Sequence, residues 1–226
     1  MGRLKTKLLT WTSDKHEREK ALKTLEAAAA IVQAGGVVAF PTESSYGLAG
    51  NATRPEVADK INELKNRPED KLGLPIVVSD RWMAEEFLDL TPAAKHLMNA
   101  FMPGPLSLIV EPKPDKLAPN LAKDGVAFRI SGLECARVLS QLVEVPIIAT
   151  SANLSGTPPL YKFDEVRKTF EGKVEAILNA GNLPPALPST IVDARQLPPT
   201  LVRPGPVPIE EILAQLKEFQ PLLVTA

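Results

Sequence analysis

The spacing of apolar residues switches repeatedly between helical and extended periods. Leu22, Leu25, Ala29 and Val32 recur at helical spacing across 17–34, and Gly35-Gly36 closes that run. Val37 to Phe40 are consecutive apolar residues, the pattern of a buried strand, and Pro41 ends it because proline has no N–H for a sheet ladder. Thr42, Glu43, Ser44, Ser45 and Tyr46 make a hydroxyl-rich turn with one carboxylate, where Gly47 permits a tight turn or a close approach to a ligand. Thr53-Arg54-Pro55-Glu56 has the form of a capping box. It predicts a helix with Val57, Ile61 and Leu64 on one face, ended by Pro68 after Lys65-Asn66-Arg67.

Further along, Leu74–Val78 reads as a strand, Ser79 as the cap of a helix over 80–88, and Thr91-Pro92 as the start of a helix through Phe101. Met102-Pro103-Gly104-Pro105 is a rigid turn before a strand at 106–110, and a polar loop runs on to Lys123. Strands are predicted at 125–130, 145–150, 174–178, 189–193 and 201–202, and helices at 133–143, 163–171 and 209–219, with a loop over 179–188. Helices alternating with short strands define an α/β fold with a mixed sheet. No repeat and no compositional break is visible, so residues 1–206 are expected to form one domain, with 207–226 a short helical tail and no second domain.

Composition narrows the function. The chain has 226 residues and a net charge of -1, which leaves no overall basic field for tight nucleic-acid binding. A single cysteine, Cys135, excludes an intrachain disulfide and a cysteine-rich metal site. His16 and His96 lie in helix-like, mixed surroundings that suggest surface positions rather than metal ligands. No segment resembles a membrane span or a signal peptide, and a cytoplasmic location with no membrane partner is expected.

The chemistry-bearing residues lie at strand ends. There is no P-loop, dinucleotide fingerprint, catalytic triad or zinc spacing. Lys65 and Arg67, two apart at a helix end, could simply favour the helix dipole, and Ser151-Ala152-Asn153 after a strand could be an ordinary turn. Arg129, inside an otherwise apolar strand, must face either a cleft or a buried anion. Arg203 sits at another strand end. Taken together, Lys65, Arg67, Arg129 and Arg203 are cation candidates, and Ser44, Ser151, Asn153 and Ser189 are neutral donors. A site built from them would bind several negative charges and act by positioning and charge neutralisation, without a nucleophile of its own.

Several motifs occur in the order found in a known family. Pro41-Thr42-Glu43-Ser44-Ser45-Tyr46-Gly47-Leu48 resembles the PTETVYGL signature of the YrdC-like threonylcarbamoyl-AMP synthases. Pro103–Ser107 is similar to their PGPLT turn, Lys65-Asn66-Arg67 to their K-x-R, and Ser151–Gly156 to their SANxSG. Ser189–Asp193 is similar to STIVD, and Arg203-Pro204-Gly205 to R-x-G. The resemblance spans about residues 20–206 and implies an open, twisted mixed sheet flanked by helices, with a concave, positively charged cavity. It also implies a nucleotidyltransferase reaction. L-threonine, bicarbonate or CO2, and ATP would give threonylcarbamoyl-AMP and pyrophosphate, the first step of threonylcarbamoyladenosine modification of tRNA. Downstream transfer proteins would be partners, with weak tRNA contact besides.

By the same resemblance, Lys65 and Arg67 are the catalytic residues. ATP falls to Lys65, Arg67, Lys71, Ser151, Asn153 and Arg203, with Mg2+ on its phosphates and no metal ligand from the protein. Threonine falls to Ser44, Arg129 and Ser189. The chain departs from the family pattern at Ser44, where threonine is usual, and at 71–76, which lacks a histidine used near threonine in some members; Lys71 stands where asparagine is expected. The extra C-terminal domain of longer members is also absent, which leaves lid closure to the 179–188 loop or a partner. Two other readings compete: a non-enzymatic RNA-binding or ribosome-maturation factor, and a carbamoyl-adenylate module of the hydrogenase-maturation type.

Overall fold

A strand directs successive side chains to opposite faces of its sheet, and here both faces are apolar over much of the sheet's width. The computed structural model describes residues 4–68, 73–121 and 124–219. In chain order the elements are β1 (Lys7–Thr10), α1 (Arg18–Gln33), β2 (Val38–Pro41), β3 (Tyr46–Asn51), α2 (Pro55–Leu64), β4 (Ile76–Val78), α3 (Arg81–Phe87), β5 (Leu88–Asp89) and α4 (Pro92–Phe101). They continue with β6 (Leu106–Pro112), β7 (Val126–Ile130), α5 (Glu134–Val143), β8 (Ile147–Ser151), α6 (Phe163–Phe170), β9 (Ala176–Asn179), β10 (Thr190–Asp193), β11 (Thr200–Arg203) and α7 (Ile209–Phe219).

The strands form one sheet in the order β1-β9-β2-β3-β8-β4-β7-β6-β10-β11, with β5 beside β6. Pairing is mixed. The β1–β9, β2–β9, β4–β7 and β6–β10 pairs are parallel, and β2–β3, β3–β8, β4–β8, β6–β7 and β10–β11 are antiparallel.

Alternation separates two cores. Val38, Phe40, Val77, Ile147, Ala149, Ala176 and Leu178 pack with Leu25, Ala28 and Val32 of α1 and Cys135, Leu139 and Val143 of α5. Their strand neighbours Val37, Ala39, Ile76, Val78, Ile148 and Ile177 enter the opposite core, with Val57 and Ile61 of α2, Leu97 and Met98 of α4, Phe170 of α6 and Ile212 of α7. The opposite core also takes Leu106, Leu108 and Val110 of β6, Val126, Phe128 and Ile130 of β7, and Val192 of β10. The intervening residues of β6, β7 and β10 therefore face the side of the sheet on which α1 and α5 pack, but where neither helix covers them.

The mixed α/β reading holds, with differences at particular elements. The sequence predicts no strand at β3: Tyr-Gly-Leu-Ala-Gly-Asn shows no alternation, because all six residues are buried in mid-sheet. β1 and the two-residue β5 also went unread, being short with mixed polarity. Thr53 is not a capping-box residue. Arg54 is the N-cap of α2, without a side-chain cap bond, and the Thr53 hydroxyl donates to Asn51 Oδ1 at 2.7 Å. Asp80, not Ser79, caps α3 by accepting the Met83 N–H at 2.9 Å. Thr91 caps α4 as expected, accepting from the Ala94 N–H at 3.1 Å. His96 is half-buried rather than at the surface. No helix among the described residues is long and apolar enough to cross a membrane.

Helix α2 rests on β3 at Gly50, where a Cβ would lie 2.5 Å from Val57 Cγ1 and 2.9 Å from Ile61 Cδ1. A methyl group there has to push α2 off the sheet. Gly50→Ala should lower unfolding stability by about 1–3 kcal/mol in a urea titration; an unchanged midpoint would mean that this contact carries no packing constraint.

Candidate active site

The uncovered part of the sheet forms the floor of a pocket of about 370 Å³. Ile109, Ala127, Arg129 and Ile191 line it, and each alternates with a residue of the opposite core. This alternation explains an arginine within Val-Ala-Phe-Arg-Ile: Val126, Phe128 and Ile130 are buried below the sheet while Arg129 projects above it. The walls come from the β2–β3 turn (Thr42, Ser44), the end of β8 (Thr150, Ser151), and Arg67, Tyr161, Ser189 and Arg203. Ala186 and Pro188 of the 179–188 loop also line it.

The β2–β3 turn is shaped by Thr42. Its hydroxyl donates to the Ser45 carbonyl at 2.7 Å and accepts the N–H groups of Ser44 and Ser45 at 3.3 Å. Glu43 thereby points toward β7. Its Oε1 lies 3.2 Å from Arg129 Nε in an ion pair, and its Oε2 accepts a 2.6 Å bond from Ser131 Oγ. Arg129 is buried, and among the described residues its guanidinium makes no hydrogen bond.

Across the pocket, Arg203 on β11 is half-buried. Its Nη2 donates to the Ser189 carbonyl at 2.8 Å and to the Ser189 hydroxyl at 3.2 Å, and Ser189 in turn shares a 2.8 Å hydroxyl contact with Ser107 of β6. Burial lowers the Arg203 pKa, and the nearby Arg129 charge lowers it further, so the two guanidinium groups sense each other. Burial likewise lowers the Arg67 pKa, and Arg67 Nη2 donates to the Gly73 carbonyl at 3.3 Å.

Lys65 and Arg67 part company because Asn66 between them has a φ of 49°, a left-handed conformation that asparagine tolerates better than most residues. Arg67 reaches the pocket. Lys65 turns beneath the Ser151–Asn153 segment and is 3% exposed. Its ammonium donates to the Ser151 carbonyl, to the Asn153 carbonyl at 2.8 Å and to Asn153 Oδ1 at 3.3 Å, while its own carbonyl accepts the Ser155 N–H at 2.7 Å. Asn153 Oδ1 also accepts from Ser151 Oγ at 2.5 Å, and Asn153 Nδ2 donates to the Leu154 and Thr157 carbonyls at 3.0 and 2.5 Å.

Of the residues singled out in the sequence, Ser44, Arg67, Arg129, Ser151, Ser189 and Arg203 thus share one pocket. Lys65 and Asn153 sit behind its wall and brace it. Lys71 lies outside the described residues.

Sequence reasoning passed over three contributors. Glu43 was visible as the turn's only carboxylate, but its partner Arg129 is 86 positions away and unmarked. Ser107 could have been found by alternation along β6, where it precedes Leu108. Tyr46 reads only as one of the turn's hydroxyls, yet that hydroxyl donates to the Gly181 carbonyl at 2.7 Å and accepts the Ala180 N–H at 3.0 Å, so it anchors the start of the 179–188 loop. Tyr161 holds the same loop, its carbonyl accepting the Leu183 N–H at 2.8 Å.

Comparison with known proteins shows the family. The Sua5/YciO/YrdC family, described as "Telomere recombination", matches residues 30–205. A threonylcarbamoyl-AMP synthase of Pyrococcus abyssi is 37% identical over 85% of this chain and 57% of its own length. One of Bacillus subtilis is 37% identical over 83% and 55%. The chain therefore spans little more than half the length of these relatives. A putative threonylcarbamoyl-AMP synthase of Methanocaldococcus jannaschii is 30% identical over 92% of this chain and 98% of its own. The crystal structure of P. abyssi Sua5 complexed with L-threonine superposes with a TM-score of 0.84 at 34% identity, covering 94% of this chain and 62% of that one. Escherichia coli YciO, at 20% identity and a TM-score of 0.80, shares the fold. With the match running from α1 to the end of β11 and taking in every wall of the pocket, the chain belongs to the Sua5/YciO/YrdC family.

Proposed function

We propose that this chain is a threonylcarbamoyl-AMP synthase. The observation that carries the reading is one cavity lined by Arg67, Arg129 and Arg203 together with the hydroxyls of Ser44, Ser151 and Ser189. Its volume of about 370 Å³ suits a small-molecule site. Threonine and bicarbonate or CO2 form a carbamate, whose oxygen attacks the α-phosphorus of ATP as the bond to pyrophosphate breaks. The carbamate is the nucleophile, so the protein's task is to align it and to stabilise the charge that spreads over the phosphate oxygens.

Arg67 and Arg203 neutralise phosphate charge, and Ser151 contributes a hydroxyl donor. Lys65 supports the same reaction from beneath, holding Ser151 and Asn153 in place and adding its positive charge below them. Lys71 is assigned to the phosphates on the family pattern alone. Arg129 takes the threonine carboxylate, a pairing that guanidinium geometry favours, while Ser44 and Ser189 bind the amino acid's polar groups. Mg2+ carried on the triphosphate would offset phosphate charge. The product passes to proteins that transfer the threonylcarbamoyl group to tRNA, and that role places the chain in the cytoplasm.

Purified protein given ATP, bicarbonate and Mg2+ should release pyrophosphate only when threonine is present; folded protein with no threonine-dependent release rules the activity out. Arg67→Ala should lower turnover about a hundredfold with little change in melting temperature, as for a contact that matters in the transition state. Lys65→Ala should lower turnover and melting temperature together, because it strips buried carbonyl groups of Ser151 and Asn153 of their donor. ATP and threonine should each raise the melting temperature and should raise it further in combination, since both occupy one cavity. Strict additivity would separate the two sites.

A further inference from the structure

Glu43 does not line the pocket, yet it is tied to the pocket's most buried arginine. We propose that Glu43 is a specificity-determining residue, whose negative charge makes the Arg129 end of the cavity accept a zwitterionic amino acid and reject a free phosphate. The proposal deepens the synthase reading and rests on it.

A site that binds ATP and releases pyrophosphate is exposed to abundant competing phosphates. Arg129 and Arg203 line the same pocket, and two guanidinium groups with no neighbouring acid would draw in any multiply charged anion. Glu43 subtracts one charge at that end. Its Oε2 is held by a 2.6 Å bond from Ser131 Oγ, its Oε1 lies 3.2 Å from Arg129 Nε as an ion pair, and only a quarter of the side chain is exposed, so water screens it weakly. Among the described residues, the acid that lines the pocket is Asp124, which is exposed and screened by solvent.

The field of one fixed negative charge acts differently on the two ligands. An α-amino acid carries a carboxylate and an ammonium side by side. Repulsion of one is largely cancelled by attraction of the other. Inorganic phosphate near neutral pH carries between one and two negative charges and no positive one, so it feels the whole repulsion. Removing the charge should therefore change phosphate binding strongly and threonine binding little.

The test is a calorimetric titration of threonine into wild-type protein, Glu43→Gln and Ser131→Ala, each repeated against rising inorganic phosphate. Glutamine keeps the shape of Glu43 and its bond to Ser131 but not the charge. In Glu43→Gln, phosphate should displace threonine at a concentration about tenfold lower or less than in wild type, while threonine affinity without phosphate stays within about threefold. Ser131→Ala removes the hydrogen bond and leaves the charge, and should keep wild-type tolerance to phosphate. Unchanged phosphate tolerance in Glu43→Gln overturns the proposal. So does a parallel loss of both ligands, which would make Glu43 a mechanical support for Arg129, and so does a Ser131→Ala protein as phosphate-sensitive as Glu43→Gln. A wild-type protein that binds no threonine instead overturns the synthase reading beneath it.

Discussion

Arginines from distant parts of the chain share one cavity, and like charges brought that close must be held against their own repulsion. Each is held differently. Arg129 is countered by a carboxylate, Glu43. Arg203 leans on the carbonyl and hydroxyl of Ser189, and Arg67 donates to the carbonyl of Gly73. The partners of Arg203 are neutral dipoles, which orient a guanidinium without cancelling its charge. Burial disfavours the charged form of both Arg203 and Arg67, a cost relieved when an anion enters.

The fold makes room for this by leaving one region of one sheet face without a helix. On β2, β4, β8 and β9 both faces are apolar, because α1 and α5 cover one side and α2, α4, α6 and α7 the other. On β6, β7 and β10 the second helical layer is missing, and the exposed face carries Ser107, Ile109, Ala127, Arg129 and Ile191. Polar residues there need no special local structure. The same alternation that places Leu108, Phe128 and Val192 in the core lifts their neighbours into the cavity. Small residues complete it. Gly47 lines the pocket where a Cβ would meet the Thr150 carbonyl at 3.1 Å, so β3 can lie close to β8 without a side chain intruding.

This physical logic decides what could be read from the sequence. Elements with a clear period or a chemical stop, such as α4 with Thr91-Pro92 at its start, were legible because cap and pattern agree. β3 was not, because a central strand buried on both faces shows no alternation of apolar and polar residues, and this one has no β-branched residue. The site shows a similar division. Arg129 stood out because a charge within an apolar strand demands an explanation. Lys65 and Arg67 read alike, yet one backbone residue in the left-handed region sends them to opposite sides of a wall, and nothing in the spelling of Lys-Asn-Arg announces that turn. Glu43 and Arg129 become partners only once β3, β8 and β4 have set the β2–β3 turn beside β7.

A charge gradient across the cavity follows from these placements. One end combines Arg67 with the ammonium of Lys65 under the Ser151–Asn153 segment. The other pairs Arg129 with an acid. In a site that supplies no nucleophile, such a gradient can do what covalent groups do elsewhere. On the proposed function, it would draw the more highly charged ligand to one end and the zwitterion to the other, and so set which atoms meet in the middle. The direction of the gradient depends on the Glu43 carboxylate being held beside Arg129, which Ser131 secures through a bond to the oxygen that Arg129 leaves free. On the proposed function, a residue that does not line the pocket would thus help to orient the reactants through the arginine it holds.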